Sequence, residues 1–299
     1  MREKPHLLLI DGMALLFRAF YSTAVTGQYM VNSKGMPTNG VQGFLRHLLI
    51  AIEQKQASHI AVCWDMGSKT FRNELFDAYK SNREAPPIEL IPQFDLAKEV
   101  VEAFQIPNIG EIGFEADDCI GTVAMSMKSD ADVSILTGDR DLLQLLDQHI
   151  QVHLLQKGYG NYKSYTHEAF FQEYNVTPHQ YIDVKALMGD MSDGYPGVKG
   201  IGEKTALKLI QQFKDIQGIL DNLDALTNAQ RKKIEMDLEM LHLSRELAEI
   251  KCDVPLQFTL EHAAFTEIPE TFIEIVNDLE LKTVKRHLLA TNWNASPTV

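Results

Sequence analysis

Acidic side chains stand at the points where apolar segments of this 299-residue chain end. Asp11, Asp65 and Asp139 each close a continuous apolar run. The segment EADD places three further acids in the first turn of a predicted helix, where the helix dipole favours negative charge. With the acids of the segments TGDRDLL and GDMSDGYPG, the nine candidates are Asp11, Asp65, Glu115, Asp117, Asp118, Asp139, Asp141, Asp190 and Asp193.

The chemistry that this set favours is metal-dependent phosphoryl transfer. Oxygen ligands without an accompanying histidine or cysteine suit hard cations such as Mg²⁺ or Mn²⁺. Two such ions ~3.5–4 Å apart activate a water and hold both the attacking and the leaving oxygen of a phosphodiester displacement. Asp190 and Asp193 lie three residues apart, so they share one face if their segment is helical.

Each acid also has a purely structural interpretation. A single Asp at a turn is a common helix cap, and EADD alone is equally consistent with an N-terminal capping turn. The repeated position at strand ends favours the metal interpretation, because strands of an open α/β sheet direct their carboxyl ends toward one ligand-binding crevice.

The elements that would position these acids read as strands alternating with helices. Continuous apolar runs at 6–11, 60–65 and 133–139 are typical of strands that are covered on both faces. A fourth strand is predicted at 150–155, and helical patterns such as GFLRHLLIAIEQ and PQFDLAKEVVEAF separate the runs. The pattern predicts an α/β fold with a mostly parallel central sheet. From about residue 177 the sequence pattern changes and predicts helices joined by short glycine-rich turns.

The segment SKTFRNELFDAYKSNREAPP interleaves cations with aromatic residues. Such a pattern suits a single nucleic-acid strand, which offers phosphates to the cations and base faces to the rings. The alternative is a solvated amphipathic helix with a buried aromatic stripe, but the position directly after Asp65 favours nucleic acid. The cations are Lys69, Arg72, Lys80 and Arg83, and the rings between them are Phe71, Phe76 and Tyr79.

The segment GVKGIGEKTALKLI predicts a tight hairpin that opens a helix. Its glycines permit close backbone approach, and the free N–H groups of the helix start can hold a phosphate without reading a base. An ordinary turn between two helices explains the spacing equally well. The candidates for this contact are Gly197, Lys199, Gly200, Gly202, Lys204 and Thr205.

The formal net charge of −13 argues against a nucleic-acid partner, which prefers a basic surface. If nine carboxylates bind metal, however, the rest of the chain carries a net charge of only −4. Because the cations are also clustered, the local charge can favour nucleic acid despite the negative total. No apolar run approaches the ~20 residues that span a bilayer, and three distant cysteines (Cys63, Cys119 and Cys252) indicate a reducing cytoplasm. We interpret His149 and His153, four residues apart in a strand pattern, as structural.

Taken together, the motifs of residues 6–253 resemble the 5′-nuclease (flap endonuclease) family, which includes the 5′–3′ exonuclease domain of bacterial DNA polymerase I and its stand-alone relatives. The likeness rests on LLLIDGMALLFRAF, TNGVQGF, FRNELFDAYKSNR, GFEADDCIG, ILTGDRDLLQLL and ALMGDMSDGYPGVKGIGEKTA, in this order. It implies a PIN-like core over 1–176 with a helical arch around 68–92. A helix-three-turn-helix subdomain follows over 177–250, and the segment 251–299 packs back on the core.

The resemblance also implies roles for individual residues. One metal ion would be held by residues matching Asp65, Glu115, Asp117 and Asp139, and a second by Asp141, Asp190 and Asp193, with Asp139 between them. Asp11 and Asp118 would complete the cluster. Lys80 and Arg83 would lie beside the scissile phosphate, Arg72 and Tyr79 would contact DNA, and the 197–202 hairpin would hold duplex backbone, often with K⁺.

The expected activity is 5′–3′ exonuclease and flap-endonuclease cleavage of DNA at flaps, nicks and 5′ ends, in replication, repair and primer removal. We expect a monomer in the cytoplasm, associated with the nucleoid. Gly194 stands where the family commonly has Asn, and Gln42 stands where it often has an aromatic residue. A branched-DNA-binding protein that cleaves poorly, and an enzyme that prefers RNA in RNA–DNA hybrids, remain alternatives.

Overall fold

A six-stranded sheet forms the centre of the computed structural model, which describes residues 4–24, 27 and 29–291. The strand order is β3-β2-β1-β4-β5-β6, and every neighbouring pair is parallel except β5 and β6. The strands are β1 (His6–Asp11), β2 (His59–Cys63), β3 (Asn108–Ile109), β4 (Asp132–Thr137), β5 (Ile150–Leu155) and β6 (Tyr162–Tyr165). The predicted mostly parallel α/β fold is confirmed.

Both faces of this sheet are covered by helices, which explains the continuous apolar runs. On β1, Leu7 and Leu9 join one buried cluster, whereas Leu8 and Ile10 join the cluster on the opposite face. The helices of this half are α1 (Gly12–Thr23), α2 (Asn39–Lys55), α3 (Phe71–Leu75), α4 (Ile91–Ala103), α5 (Ala116–Met127) and α6 (His167–Tyr174). Helices α1, α2 and α4 cover the face of Leu8, and α5 covers the face of Leu7.

The second half of the described chain is helical. Its elements are α7 (Pro178–Met188), α8 (Glu203–Phe213), α9 (Ile216–Asp221), α10 (Asn228–Met236) and α11 (Leu238–Ala248). The turn after α7 requires glycine, because a Cβ on Gly189 would lie 2.4 Å from the backbone carbon of Pro196. This close approach folds the segment after α7 back on the end of that helix.

The last described helices return to the sheet-bearing half. They are α12 (Glu270–Asp278) and α13 (Lys282–Thr291). Phe272 of α12 stacks on Phe104, just after α4, with ring centroids 3.9 Å apart and planes 9° apart. Gln42 of α2 accepts hydrogen bonds from the backbone N–H and hydroxyl of Thr283. Gln42 is therefore a buried link between helices rather than a stacking surface; residues 292–299 lie outside the described residues.

Several predicted elements differ from the observed ones. Strand β2 ends at Cys63 and β4 at Thr137, so Asp65 and Asp139 each lie two residues beyond a strand. The region 68–92, where the resemblance implies a helical arch, contains the five-residue α3, followed by turns and the start of α4. Within the described ranges, no helix is both long and apolar enough to cross a membrane.

We expect the contact between Phe272 and Phe104 to anchor the C-terminal helices. Phe272→Ala deletes a fully buried ring, and large-to-small changes of this kind cost about 3–5 kcal/mol of unfolding free energy. Urea unfolding measures the loss, and Leu289→Ala on the exposed side of α13 is the control. Equal unfolding free energies for the two variants would contradict the anchoring role.

Candidate active site

The carboxyl ends of the parallel strands open into a cleft with a volume of about 620 Å³. It lies beside the start of α1 and the start of α5, where each helix follows a strand end. Seven of the nine predicted acids line this cleft: Asp11, Asp65, Glu115, Asp117, Asp139, Asp141 and Asp190. The structure thus brings together acids that are up to 179 positions apart in the sequence.

Thr137, at the end of β4, joins two of the strand-end acids. Its hydroxyl donates to Asp11 Oδ2 at 2.7 Å and accepts the backbone N–H of Asp139 at 2.9 Å. The other oxygen of Asp11 caps α1 by accepting the N–H of Ala14, and Asp139 Oδ1 accepts the N–H of Asp141. These acids therefore stabilise the local turns and helix starts at the strand ends while they also line the cleft.

The start of α5 positions the acids of the EADD segment. Glu115 is the N-cap residue, and it forms a capping box with Asp118. The N–H of Ala116 donates to Asp65 Oδ1 at 2.7 Å, which links the end of β2 to this helix. Glu115 and Asp117 line the cleft, whereas Asp118 does not.

Asp118, a predicted metal ligand, and Arg72, a predicted DNA contact, do not line the cleft. Asp118 is 0 % exposed and Arg72 is 2 % exposed. The Arg72 guanidinium donates to both Asp118 oxygens, at 2.8 and 2.9 Å, in a bidentate ion pair. It also donates to the carbonyls of Leu247 and Glu249 at the end of α11. The pair is a buried structural lock between the two halves of the fold.

Lys80 and Arg83 enter the cleft from the turns after α3. The Lys80 ammonium lies 2.7 Å from Glu115 Oε1, and Arg83 Nη2 lies 2.7 Å from Asp193 Oδ1. Tyr79 is buried, and its hydroxyl donates toward both Glu115 and Asp193 at 3.2 Å. The structure therefore does not expose the Tyr79 ring for stacking on a base, and its DNA contact stays a prediction.

Asp190 and Asp193 lie in a turn rather than in the helix that their spacing allowed. Asp190 Oδ1 accepts the backbone N–H of Ser192 at 2.7 Å, which closes the turn. Asp193 is absent from the cleft lining and is paired with Arg83. Gly194 follows with φ of +79°, a left-handed conformation that Asn also tolerates, so the Gly at this position preserves the turn.

Lys185 is a cleft residue that the sequence reasoning missed. It projects from α7, is 5 % exposed, and its ammonium lies 2.7 Å from Asp141 Oδ1 while also pairing with Asp190. Burial alone lowers the pKa of Lys185, but Asp141, Tyr195 and Asp190 together raise it above the ordinary value. A single lysine inside the apolar segment YIDVKALM was the available signal.

Four cleft acids have no cation within ion-pair distance among the described side chains: Asp11, Asp65, Asp117 and Asp139. Burial raises the pKa of each, and neighbouring carboxylates add to the rise. The pKa of Asp11 reaches about 6. By contrast, burial raises the pKa of Asp190, but the hydrogen bond and charge of Lys185 and the hydrogen bonds from Ser192 together outweigh burial and lower that pKa to about 2.

The glycine-rich hairpin lies on the surface between α7 and α8. Gly197 and Gly200 adopt positive φ angles of 60° and 79°, and Gly202 is the N-cap residue of α8. The side chains of Lys199 and Lys204 are exposed, and Thr205 in the first turn of α8 is half-buried. These residues do not line the cleft with the acids.

The two histidines interpreted as structural are engaged within the protein. His153 is buried, and its ring nitrogens lie 2.8 and 3.0 Å from the hydroxyls of Ser164 and Ser134. His149 pairs with Asp132 at 2.9 Å on the surface. In the portion of the chain that the structure describes, no three His, Cys, Asp or Glu side chains are drawn together at the spacing of a bound ion.

Comparison with known proteins identifies the family. Residues 6–175 match the model of the 5′-3′ exonuclease N-terminal resolvase-like domain, and 176–271 match that of its C-terminal SAM fold. The chain belongs to the 5′-3′ exonuclease family. The resemblance inferred from its motifs is confirmed.

Individual relatives agree with this family. The chain is 56% identical over 286 residues to the 5′-3′ exonuclease of Bacillus subtilis, covering 96% of this chain and 97% of the relative. It is 39% identical to DNA polymerase I of Bacillus caldotenax over 88% of this chain, but it spans only 30% of that protein. A bacteriophage T5 flap endonuclease, solved with DNA and metal ions, aligns over 95% of this chain and 98% of its own with a TM-score of 0.68. At 21% identity, that likeness shows the fold alone.

We expect Arg72 to contribute to stability rather than to nucleic-acid affinity. Arg72→Gln leaves the buried Asp118 carboxylate without its partner, and breaking a buried pair costs about 3–5 kcal/mol of unfolding free energy. Chemical denaturation measures this loss, and Lys69→Gln, an exposed cation three residues earlier, is the control. An Arg72→Gln variant as stable as Lys69→Gln would refute the lock.

We expect the unpaired acids to destabilise the metal-free exonuclease. Burial, followed by Asp139 and Asp11, raises the pKa of Asp117 well above 3.8, so its ionisation costs free energy only in the folded state. Without divalent ions, Asp117→Asn should raise the unfolding free energy by about 1 kcal/mol or more at neutral pH. The gain should vanish below about pH 4, where the wild-type carboxyl is protonated in both the folded and the unfolded state.

Unfolding in EDTA across a pH series makes this measurement. The control is Asp130→Asn, because Asp130 is exposed and lies outside the cleft. A pH-independent difference between the Asp117 variant and wild type would contradict the electrostatic origin of the effect.

Proposed function

We propose that this exonuclease-family chain is a structure-specific 5′ nuclease. Its reaction would be hydrolysis of DNA phosphodiesters at 5′ flaps, nicks and 5′ ends, both as a 5′–3′ exonuclease and as a flap endonuclease. The observation that carries the proposal is the group of four uncompensated acids, Asp11, Asp65, Asp117 and Asp139, in one open cleft beside Lys80 and Arg83. Such a cleft requires added positive charge, and a phosphate bound together with cations supplies a matching ligand.

The all-oxygen donor set suits the chemistry of hard divalent ions, Mg²⁺ or Mn²⁺. Asp65, Glu115, Asp117 and Asp139 would hold one ion, and Asp141, Asp190 and Asp193 would hold a second, with Asp139 between the two and Asp11 completing the set; all of these acids except Asp193 line the cleft. Bound ions would draw these side chains closer together than they lie in the described structure. When bound, such ions supply an activated water and neutralise charge that develops on the phosphate. Asp193 lies close to Asp190 in the sequence and stays a proposed ligand of the second ion. In the structure, however, the Asp193 carboxylate pairs directly with Arg83.

Three cations of this chain, Lys80, Arg83 and Lys185, neutralise part of the negative charge in and beside the cleft. They neutralise Glu115, Asp193 and the Asp141–Asp190 pair. Lys80 and Arg83 reach the cleft from exposed turns, so both can exchange their carboxylate partners for a substrate phosphate. Lys185 is buried on α7, and it would instead hold Asp141 and Asp190 in place.

The hairpin 197–202 is the proposed contact for duplex backbone. Exposed Lys199 and Lys204 flank glycines whose backbone groups a phosphate can approach closely. A K⁺ ion bound by hairpin carbonyls remains part of this proposal. A monomeric enzyme is part of the same proposal. Replication, repair and primer removal in the cytoplasm, at the nucleoid, are the proposed setting because the substrate is found there.

We expect Asp139→Asn to abolish cleavage while it preserves DNA binding. The Asn oxygen can still accept the N–H of Asp141, so the turn is kept while the charge between the two proposed ion sites is lost. The rate on a 5′-labelled flap with Mg²⁺ should fall at least about 10²–10³-fold. Single-turnover cleavage and EDTA-blocked anisotropy measure the two properties.

Asp130→Asn is the matched control for the same change at an exposed position. Parallel reactions with a nick, a blunt duplex and an RNA-tailed flap, under Mg²⁺ or Mn²⁺, define the preferred polymer and end. Binding of the flap without products from the wild-type protein in either metal would favour a DNA-binding protein over a nuclease.

A further inference from the structure

A second cavity, with a volume of about 360 Å³, lies apart from the acidic cleft. It is bounded by α1, α2, the loop after β5 and the start of α13. Twelve described residues line it, and none of them is Asp or Glu. In a chain with a net charge of −13, a cavity lined by three cations and no acid is unusual.

The three cations are Arg18, Arg46 and Lys157. Arg18 is held in place because its Nη2 donates to the carbonyl of Leu155 at 2.7 Å. The Arg46 guanidinium lies over the ring of Tyr159, 4.2 Å from its centroid, and Lys157 is exposed in the same loop. Among the residues that the structure describes, no carboxylate lies within ion-pair distance of these three cations.

His47 is the buried polar group of this cavity. It is 2 % exposed, its ring centroid lies 4.4 Å from that of Tyr159, and its Nδ1 has no hydrogen-bond partner. Burial, reinforced by Arg18 and Arg46, lowers the pKa of His47 to about 4, so the ring is neutral at physiological pH. A buried polar atom without a partner costs free energy, which a ligand in the cavity can recover.

We propose that this cavity binds a phosphate group of a nucleotide. Two guanidinium groups and an ammonium present only donors, and arginine binds phosphate oxygens in a bidentate manner. The ring of Tyr159 supports the Arg46 guanidinium at the edge of the cavity. No carboxylate in the lining is available to hold a metal ion, so an anion is the ligand that this set selects.

The position of the cavity indicates nucleic acid as the source of the phosphate, and this step rests on the proposed function. Helix α1 contributes Ala14 to the cleft and Ser22 to the cavity. At about 1.5 Å per residue, the two sites are roughly 12 Å apart along the helix, or three to four nucleotide steps of about 3.4 Å. A phosphate outside the reacting nucleotide of the same substrate can therefore reach the cavity.

We expect Arg46→Gln combined with Lys157→Gln to weaken the binding of branched duplex DNA about tenfold or more near physiological salt. The slope of log affinity against log salt should fall by roughly 0.9 for each phosphate that the protein no longer neutralises. Anisotropy in EDTA measures binding without cleavage, and thermal unfolding verifies that the exposed changes leave the fold intact. Lys163→Gln, an exposed lysine on β6 outside the cavity, is the control.

Wild-type affinity and salt slope in the double variant would overturn the site. The imidazole NMR signals of His47, followed during titration with inorganic phosphate, deoxynucleoside monophosphate or branched DNA, identify the source. Shifts with the free nucleotide support a terminal phosphate, and shifts with DNA alone support a backbone phosphate. The absence of shifts with all three probes would overturn the proposal.

Cleavage of the labelled flap by the wild-type protein with Mg²⁺ is scored separately. If no product forms but binding still depends on Arg46 and Lys157, the proposed nuclease function fails and the phosphate site stands. If cleavage occurs and binding is independent of Arg46 and Lys157, the nuclease function stands and the phosphate site fails.

Discussion

Repulsion among carboxylates that share one desolvated cleft is the constraint on which the rest of this structure depends. Parallel strands end at a common edge, so acids that follow them are forced together whatever their distance in the chain. Part of this repulsion is offset by Lys80, Arg83 and Lys185, because each of them pairs with an acid in the cleft or beside it. Among the described residues, the acids closest to the strand ends have no paired cation, and theirs is the negative charge that the proposed metal ions would neutralise.

A buried ion pair behind the cleft and a backbone hydrogen bond beside it connect the two halves of the fold. Arg72 neutralises Asp118 behind the cleft and donates to two carbonyls at the end of α11. The Lys80 N–H donates to the Asp193 carbonyl at 2.7 Å, which ties the turns after α3 to the turn after α7. The cleft is therefore lined by residues of both the resolvase-like and the SAM-fold parts.

Positive charge is distributed in two ways in this acidic protein. In the cleft Lys80, Arg83 and Lys185 are each paired with an acid, whereas four other acids have no paired cation among the residues described. In the cavity around His47 the cations Arg18 and Arg46 have no acid to match among the residues described, and one cation lies on an aromatic ring instead. The net charge alone conveyed neither arrangement, because local fields depend on which charges are neighbours.

By itself, the sequence determined the features that arise from short-range pattern: the apolar runs predicted the parallel sheet, and the acids that follow them predicted where the cleft lies. The family and most cleft acids followed from these. Only the tertiary structure decided which charges are neutralised internally. Asp118 and Arg72 are 46 residues apart, and Asp141 and Lys185 are 44 apart, so no local spacing could pair them. A carboxylate that awaits a ligand and one that already has a partner look identical in the sequence, because burial and the partner's position make the difference.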